Sequence, residues 1–335
     1  MTSLPKPRAG ALLSAGAMLA ITAAAWTATS TTAQAAGYPE RPITLIVSAA
    51  PGGTTDIAAR LLAQPLGQAL QQTVVVENRP GASGGIASQM VARAKADGYT
   101  LLLQYSGYQV ITPTLTPNLT ADPIKDFAPI ANVISAPQLV VVRSTLPIHT
   151  MKELVDYARQ NPGKLNYASS GNGSLQQVST ELLNQMAGTQ ITHIPYKGTG
   201  PALADLLGGS VDMTITTPPP LLGQVSAGKL NALAVTGKTR LPSLPNVPTA
   251  AEAGYPQLIV SSWFAVYAPA KTPPEVVKKL ASEIERITKT EEFKNKAAEQ
   301  GAEADFMGPE QLAAYTKSEL ERFKGVIQSA HITAN

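Results

Sequence analysis

The sequence predicts an α/β protein of two lobes, a hinged clamshell in which each lobe is a parallel-rich sheet flanked by helices and the chain crosses between the lobes twice. Three observations predict it. Strand-like and helix-like segments alternate almost without exception, which is the arrangement of parallel sheets covered by helices on both faces. The alternation runs through twice, with a Pro-rich connection, Thr112 to Pro129, between the two series. Each series also contains a small-residue loop between a strand and a helix: Ala50 to Asp56 (A-P-G-G-T-T-D) and Ser169 to Ser174 (S-S-G-N-G-S).

The first series opens with the buried-strand run Ile43 to Val47, followed by the first loop and a helix that ends near Gln71 and is kinked or broken by Pro65. Thr73 to Glu77 reads as a strand, Ser83 to Ala96 as a helix and Thr100 to Leu103 as a strand, completing a βαβαβ unit. Beyond the Pro-rich connection come a strand at Leu139 to Val142 and a helix at Met151 to Gln160, opened by a capping box of Thr150 and Glu153. Leu165 to Ala168 leads into the second loop and a helix from Leu175 to Ala187. Then follow a strand at Thr192 to Pro195, a helix inside Pro201 to Leu207, and strands at Val211 to Ile215 and Asn231 to Val235.

After the Pro-rich stretch Leu241 to Pro256, a β-like run at Ile259 to Ala268 precedes terminal helices. Thr272 and Glu275 read as a second capping box with Pro273 at the first helical position, and Gly308-Pro309 opens the last helix. These helices need a lobe to bury their apolar stripe, and the first lobe is the expected one. The expected boundaries are then residues 36–138 and 260–335 for lobe 1 and 139–259 for lobe 2. The crossings fall near residues 136–140 and 256–263.

Compartment and charge narrow the function classes. Lys6 and Arg8 precede an apolar stretch from Ala9 to Trp26, and Ala33-Gln34-Ala35 supplies a small-x-small signal for cleavage before Ala36, so residues 1–35 read as an export signal. A membrane anchor fits less well, because the stretch is Ala-rich and interrupted by Ser14, Gly16 and Thr22. Without Lys6 and Arg8, 24 basic residues stand against 23 acidic ones, scattered or interleaved along helix faces, and no electrostatic footprint for nucleic acid remains. The chain has no Cys, which excludes disulfides, thiolate metal sites and a lipid-modified N-terminal cysteine. A secreted or periplasmic monomer is expected.

Helix N-termini expose unpaired N–H groups and a partial positive charge, so two of them facing one cleft make an anion clamp. Neither loop contains Lys or Arg, and such a clamp uses backbone amides and hydroxyls, which suits a small carboxylate. Gln104, Ser106 and Gln109, after the third strand, and Thr216 and Thr217 are candidates for the cleft mouth, or ordinary polar loop residues. Trp263 is either hinge packing or an aromatic wall.

The ordered motifs P-E-R-P-I (39–43), A-P-G-G-T-T-D (50–56), E-N-R-P-G-A-S-G-G (77–85), D-G-Y-T-L-L (97–102), D-F-A-P-I (126–130), N-Y-A-S-S-G-N-G-S (166–174), H-I-P-Y-K-G (193–198), G-G-S-V-D (208–212), L-A-V-T (233–236), L-P-N-V-P-T-A-A-E-A-G-Y-P (244–256) and S-W-F-A-V-Y-A-P (262–269) span essentially the whole chain after its first 35 residues. In this order they resemble the Bug family, the periplasmic solute receptors of tripartite tricarboxylate transporters. The resemblance implies a clamshell that binds a small organic acid and presents it to membrane permease subunits, with no catalysis and no cofactor. A sensory receptor feeding a membrane kinase uses the same binding chemistry. The resemblance places the carboxylate between Pro51, Gly52, Gly53, Thr54, Thr55 and Asp56 on one side and Ser169, Ser170, Gly171, Asn172, Gly173 and Ser174 on the other. Thr54 and Thr55 are the expected donors, and Asp56 is expected to fix the loop.

The sequence departs from the family pattern at three places: Ala49 stands where a bulky Phe is usual, Gln177 where a His is frequent, and Thr112-Pro113 where Asn-Pro is common. Ala49 either enlarges the pocket, which favours a bulky or aromatic carboxylate, or is a compensated packing change. Other chemistry is weakly signalled. His149, His193 and His331 lack metal-ligand spacing. Gly81 to Gly85 lacks both the dinucleotide fingerprint and the P-loop lysine, and the second loop shows neither a nucleophile elbow nor a partner histidine for its serines.

Overall fold

The computed structural model describes residues 1–4, 37–116, 119–329 and 332–333. The expected export signal and its cleavage site fall almost entirely outside the described residues, as does His331. Pro39–Asn335 is one compact unit.

That unit begins with β1 (Ile43–Val47), α1 (Thr54–Leu70), β2 (Val74–Asn78), a 3-10 turn at Ala82–Gly84, α2 (Gly85–Ala92), β3 (Thr100–Tyr105) and the short helices α3 (Ser106–Val110) and α4 (Thr112–Leu115). β4 (Phe127–Pro137) leads into β5 (Leu139–Arg143), α5 (Met151–Gln160), β6 (Asn166–Ser169), α6 (Leu175–Ala187), β7 (Thr192–Pro195), α7 (Thr199–Gly208), β8 (Met213–Thr216), α8 (Leu222–Ser226) and β9 (Leu230–Val235). The chain returns through β10 (Ser261–Pro269) and closes with α9 (Pro274–Thr288), α10 (Glu291–Glu299), β11 (Glu303–Met307) and α11 (Pro309–Ser329).

Two sheets result, ordered β11-β4-β10-β3-β1-β2 and β7-β6-β8-β5-β9. β1 runs parallel to β2 and β3, and β6 parallel to β7 and β8. Every antiparallel pairing involves β4, β5 or β10. The sheets are therefore mixed and not parallel-rich. Helical crossovers return a chain parallel to itself, whereas β4, β5 and β10 carry the chain from one sheet to the other and are free of that constraint.

The two crossings lie side by side. β4 passes into β5 through Gln138, and β9 leaves the second sheet at Thr236. Thr236 N–H donates to the Gln138 carbonyl (2.9 Å), Gln138 N–H donates to Thr236 Oγ1 (2.8 Å), and Thr236 Oγ1 donates to the Val260 carbonyl (2.6 Å). Gln138 Nε2 reaches Ser262 Oγ at 2.8 Å. With Gln138 and Thr236 both buried, this cross-braced pair is the connection through which any hinge motion passes.

Apolar side chains from both sheets, among them Ile46, Leu102 and Phe127 of the first and Val140, Tyr167 and Met213 of the second, form one continuous cluster. α11 packs on α3 and β4 as expected, and its end also touches the other lobe. Gln185 Nε2 donates to the Ser329 carbonyl (3.2 Å), and Gln177 Nε2 to the Thr333 carbonyl (3.1 Å).

Local differences from the sequence reading have local causes. β4 and β11 are strands with no counterpart among the expected elements, β4 overlapping the expected connection only at its first three residues. In β4, Pro129 sits where the pairing with β10 slips register, so its missing N–H interrupts no regular ladder. α1 runs unbroken through Pro65. The Thr150–Glu153 capping box forms, but the second one does not: α9 has Pro273 as its N-cap and Pro274 inside, and the Thr272 hydroxyl is buried without a partner. A residue before proline is pushed out of the helical region, which moves the helix start past Thr272 and Pro273.

Candidate functional site

Between the two sheets lies a cavity of about 30 Å³, room for two or three waters. Its first-lobe wall includes Ser48 and Ala49 at the end of β1, Thr54 and Thr55 at the start of α1, and Ser83. Tyr105 at the end of β3 and Phe264 of β10 complete that side. The second lobe contributes Ser170, Gln176 and Thr217, together with Lys197, Gly198 and Thr199 at the start of α7. No aspartate or glutamate lines it.

Two helices meet here with open N-termini. α1 has Gly53 as its N-cap, extended at φ −81°, ψ 164°, and no side chain caps it. α7 has Gly198 as its N-cap at φ 129°, again without a side-chain cap. A Cβ at Gly53 would stand 3.7 Å from the Thr199 Cβ, so the two helix starts, one from each lobe, abut. Their first N–H groups lack intrahelical partners by construction, and each end carries about +0.5 of partial charge.

α6, the second helix expected at the clamp, is closed by its own side chains. Ser174 Oγ accepts from Gln177 N–H (3.3 Å), and Gln177 Oε1 accepts from Gly173 N–H (2.8 Å). Gly171 N–H donates to Ser169 Oγ (3.1 Å). The carbonyls of Asn172 and Gly173 instead accept across the cleft, from Ser83 Oγ and from Thr112 Oγ1 (3.2 Å) respectively. Thr54 and Thr217 share a third interlobe hydrogen bond, at 2.5 Å between hydroxyls.

Of the residues singled out in the sequence, Ala49, Thr54, Thr55, Ser170 and Thr217 line the cavity. Pro51, Gly52, Gly53 and Asp56 build the loop behind it. Gly52 N–H donates to Asp56 Oδ2 (3.0 Å), Asn78 Nδ2 to Asp56 Oδ1 (3.0 Å), and Arg60 pairs with the same carboxylate. Burial raises the Asp56 pKa, but the hydrogen bonds from Arg60, Gly52 and Asn78 outweigh it and hold the carboxyl below its ordinary range. Its charge is thus neutralised locally.

Ser169, Gly171, Asn172, Gly173 and Ser174 lie beside the cavity without lining it. Gln104 is wholly buried: it accepts from Ser48 Oγ (2.5 Å) and donates to Ser88 Oγ (2.8 Å), tying β1 to α2. Ser106 accepts from Trp263 N–H (3.4 Å), and Thr216 accepts from Gln176 Nε2 (3.1 Å). Gln109 is buried in the core. Trp263 belongs to the hinge strand, 6.0 Å from the Tyr315 ring, and does not line the cavity. Ala49 does.

Sequence reasoning missed Tyr105, Lys197 and the start of α7. Tyr105 is 8% exposed, and burial, only partly offset by the neighbouring Ser170 side chain, pushes its pKa up to about 12, so it is neutral. The signal available was the K-G-T-G run, a strand followed by two glycines at a helix start, the same pattern that marked the first loop.

One expectation is corrected. Ser169 does have a histidine partner: its Oγ stands 2.6 Å from His193 Nε2, with the imidazole stacked on Tyr167 at 4.8 Å. The serine is 1% exposed and outside the cavity lining, so this pair is structural. Among the described residues no group of His, Cys, Asp and Glu could hold a metal ion, and no helix is long and apolar enough to cross a membrane.

The chain is similar to proteins of known family. It is 38% identical over 292 residues to Protein BugT of Bordetella pertussis, covering 87% of this chain and 90% of that one. A structure of an R. palustris protein solved with adipate superposes with TM-score 0.86 at 38% identity, over 88% of this chain and 99% of the other. MatC of Rhodopseudomonas palustris, solved with bound malate, gives TM-score 0.82 at 33% identity, over 87% and 100%. The periplasmic binding protein BugD gives 0.85 at 36%, over 88% and 99%. Residues 58–332 match the family described as tripartite tricarboxylate transporter family receptor, and with the fold and the interlobe cavity already in place, the chain belongs to that receptor family, TctC.

Proposed function

We propose that this protein captures a small organic carboxylate or dicarboxylate between its two lobes in the periplasm and delivers it to the membrane subunits of a tripartite tricarboxylate-type transporter. It acts as a monomer and performs no catalysis. On this reading residues 1–35 are the cleaved export signal, residues 36–138 and 260–335 form lobe 1, and residues 139–259 form lobe 2.

The carrying observation is the convergence of two glycine-capped helix N-termini, one from each lobe, on a cavity with polar walls and no acidic residue. Amides so placed hold a carboxylate by direction, and charge-assisted hydrogen bonds of about 1.5–3 kcal/mol each suffice for micromolar affinity after ordering costs. The ligands of relatives, adipate and malate, support the same chemistry. The ligand-contacting set comprises Thr54, Thr55 and Ser170, with Pro51, Gly52, Gly53, Asp56, Ser169, Gly171, Asn172, Gly173 and Ser174 shaping the two loops. Gln104, Ser106 and Thr216 buttress them.

A ligand that touches both lobes stabilises the closed form by its differential contacts with that form. The test is a thermal-shift screen of organic acids on the purified mature chain. A ligand at a hundred times its Kd adds about 2.7 kcal/mol and raises Tm by a few degrees. Stabilisation by carboxylates but not by their methyl esters or by sugars is the expected result; no stabilisation by any acid contradicts the proposal.

A further inference from the structure

We propose that the end of the chain, through Ser329, Ile332 and Thr333, is a third and non-covalent connection between the lobes, and that Gln177 is the positioning residue that transmits it to the second loop of the cleft. This strap joins the lobes whatever the ligand.

Carbonyls in the last turn of a helix have no intrahelical donor, and the last turn of α11 carries no basic side chain to serve them. Helix α6 of the other lobe supplies the donors. Gln185 Nε2 reaches the Ser329 carbonyl at 3.2 Å, and Gln177 Nε2 reaches the Thr333 carbonyl at 3.1 Å. Between these two contacts Ile332 is buried, in the apolar cluster that also holds Val178 and Leu183 of α6, and its N–H donates to the Ile327 carbonyl (3.0 Å). The rest of α11 packs on α3 and β4. A helix anchored on one lobe is thus tied at its end to the other by two hydrogen bonds and one apolar side chain.

Gln177 is 3% exposed and uses both ends of its amide, with Oε1 accepting the Gly173 N–H (2.8 Å) while Nε2 faces Thr333. The amide fits only this way round. Turned over, it would set donor against donor at Gly173 and acceptor against acceptor at Thr333. Gly173 in turn offers its carbonyl to Thr112 Oγ1 of the first lobe (3.2 Å). One chain of hydrogen bonds therefore runs from the tail through Gln177 to the second loop and back to the first lobe. Moving the lobes apart takes the Thr112, Gln177 and Gln185 contacts with it, so the strap weights the equilibrium toward the closed form before any ligand enters. Tail and loop, favouring the same arrangement, stabilise each other reciprocally.

The experiment is hydrogen–deuterium exchange, with small-angle scattering beside it, on the ligand-free mature protein: wild type, a chain ending at Gln328, Gln177→Met and the two changes combined. In the shortened chain, exchange of the amides around Gly173 should rise about tenfold, within the range usual for coupled sites, while that of α5 stays unchanged and the radius of gyration grows. Gln177→Met should speed the same loop, and shortening the chain in that background should add less than about twofold, because both changes break one relay. Full-length Gln177→Met should also speed exchange of the Ile332 amide, a reading that stands even if the shortened chain does not fold. Loop exchange and radius unchanged in the shortened chain, or Ile332 exchange unchanged in Gln177→Met, overturns the strap. A rise that includes α5 equally makes the tail ordinary packing, and additive effects of the two changes remove Gln177 as the transmitter; either overturns the proposal. Ligand binding enters none of these readings, so their failure leaves the receptor function untouched.

Discussion

Closure of the two lobes is tested most sharply at Gly200. It occupies the second position of α7, and a Cβ built there would stand 2.6 Å from the carbonyl oxygen of Pro51 in the other lobe. Ordinary contact begins near 3.4 Å, so Gly200→Ala forces about 0.8 Å of separation between two backbone segments, neither of which can swing aside as a side chain would. Overpacking of this kind costs about 1–3 kcal/mol. The cost falls on the closed form alone, because the opposing atom belongs to the other lobe.

Ligand affinity should therefore fall by about 5- to 150-fold, at 1.4 kcal/mol per factor of ten. The open form gains, since alanine is a better helix former than glycine by up to about 1 kcal/mol. Calorimetric titration with the best acid from the stability screen measures the first effect, and thermal unfolding of the ligand-free variant the second. Small-angle scattering should show the ligand-induced decrease in radius of gyration in wild type and a smaller decrease in the variant. Unchanged affinity refutes the closure argument. So does a loss of ligand-free stability equal to the loss in binding, because the substitution would then be damaging one lobe and not opposing its approach to the other.

Ala49 lines the cavity, so Ala49→Phe places an aromatic ring in space the ligand would occupy and should weaken a bulky or aromatic carboxylate far more than a short aliphatic diacid; paired titrations check this, and equal effects on both ligands would make Ala49 a packing residue only. Burial lowers the His193 pKa to about 4, below the 6.5 of the unfolded chain, so the unfolded state binds the extra proton as pH falls. Stability should drop from pH 6.5 toward 4, and denaturant titrations across that window should show a flatter profile for His193→Gln. Asp56 is held below its ordinary range, so its contribution is present above about pH 4 and lost as pH falls through the folded value; Asp56→Asn should remove that acid step and weaken ligand binding by loosening the first loop. Thr150→Ala removes the capping box of α5, remote from the cavity, and should cost about 1 kcal/mol of stability with ligand affinity unchanged.

The first loop was legible because its signals agree: a buried apolar strand, a Gly-Gly pair and the start of an amphipathic helix occur in one short run. At Gly198 the strand of the same kind of run was legible, but Pro201 marked the helix start two residues late, so the Gly198 turn was not read as a helix N-terminus. Tyr105 was hidden for a different reason. Its place at the cavity comes from β3 extending two residues further than its apolar core, and from the pairing with β10, a contact between positions 105 and 264 that no local pattern encodes.

The second loop illustrates the opposite error. Its glycines and serines suggested open amides, yet Gln177 accepts the Gly173 N–H, and Ser174 caps the helix. Composition identified a loop at the lobe boundary, but only the hydrogen-bond partners distinguish a loop that presents donors from one that consumes them. The antiparallel strands escaped for a topological reason, since strand direction at a crossing depends on the route between lobes and leaves no mark on side-chain periodicity.

The central claim is that a carboxylate is held between two helix starts from opposite lobes. Its most direct test is a crystal structure of the mature protein with a bound diacid. A carboxylate is predicted within hydrogen-bond distance of backbone amides at the starts of α1 and α7, with both lobes in contact with the ligand. A diacid lodged on one lobe alone, or outside the cavity lined by Thr54, Tyr105, Ser170 and Thr217, would contradict the account.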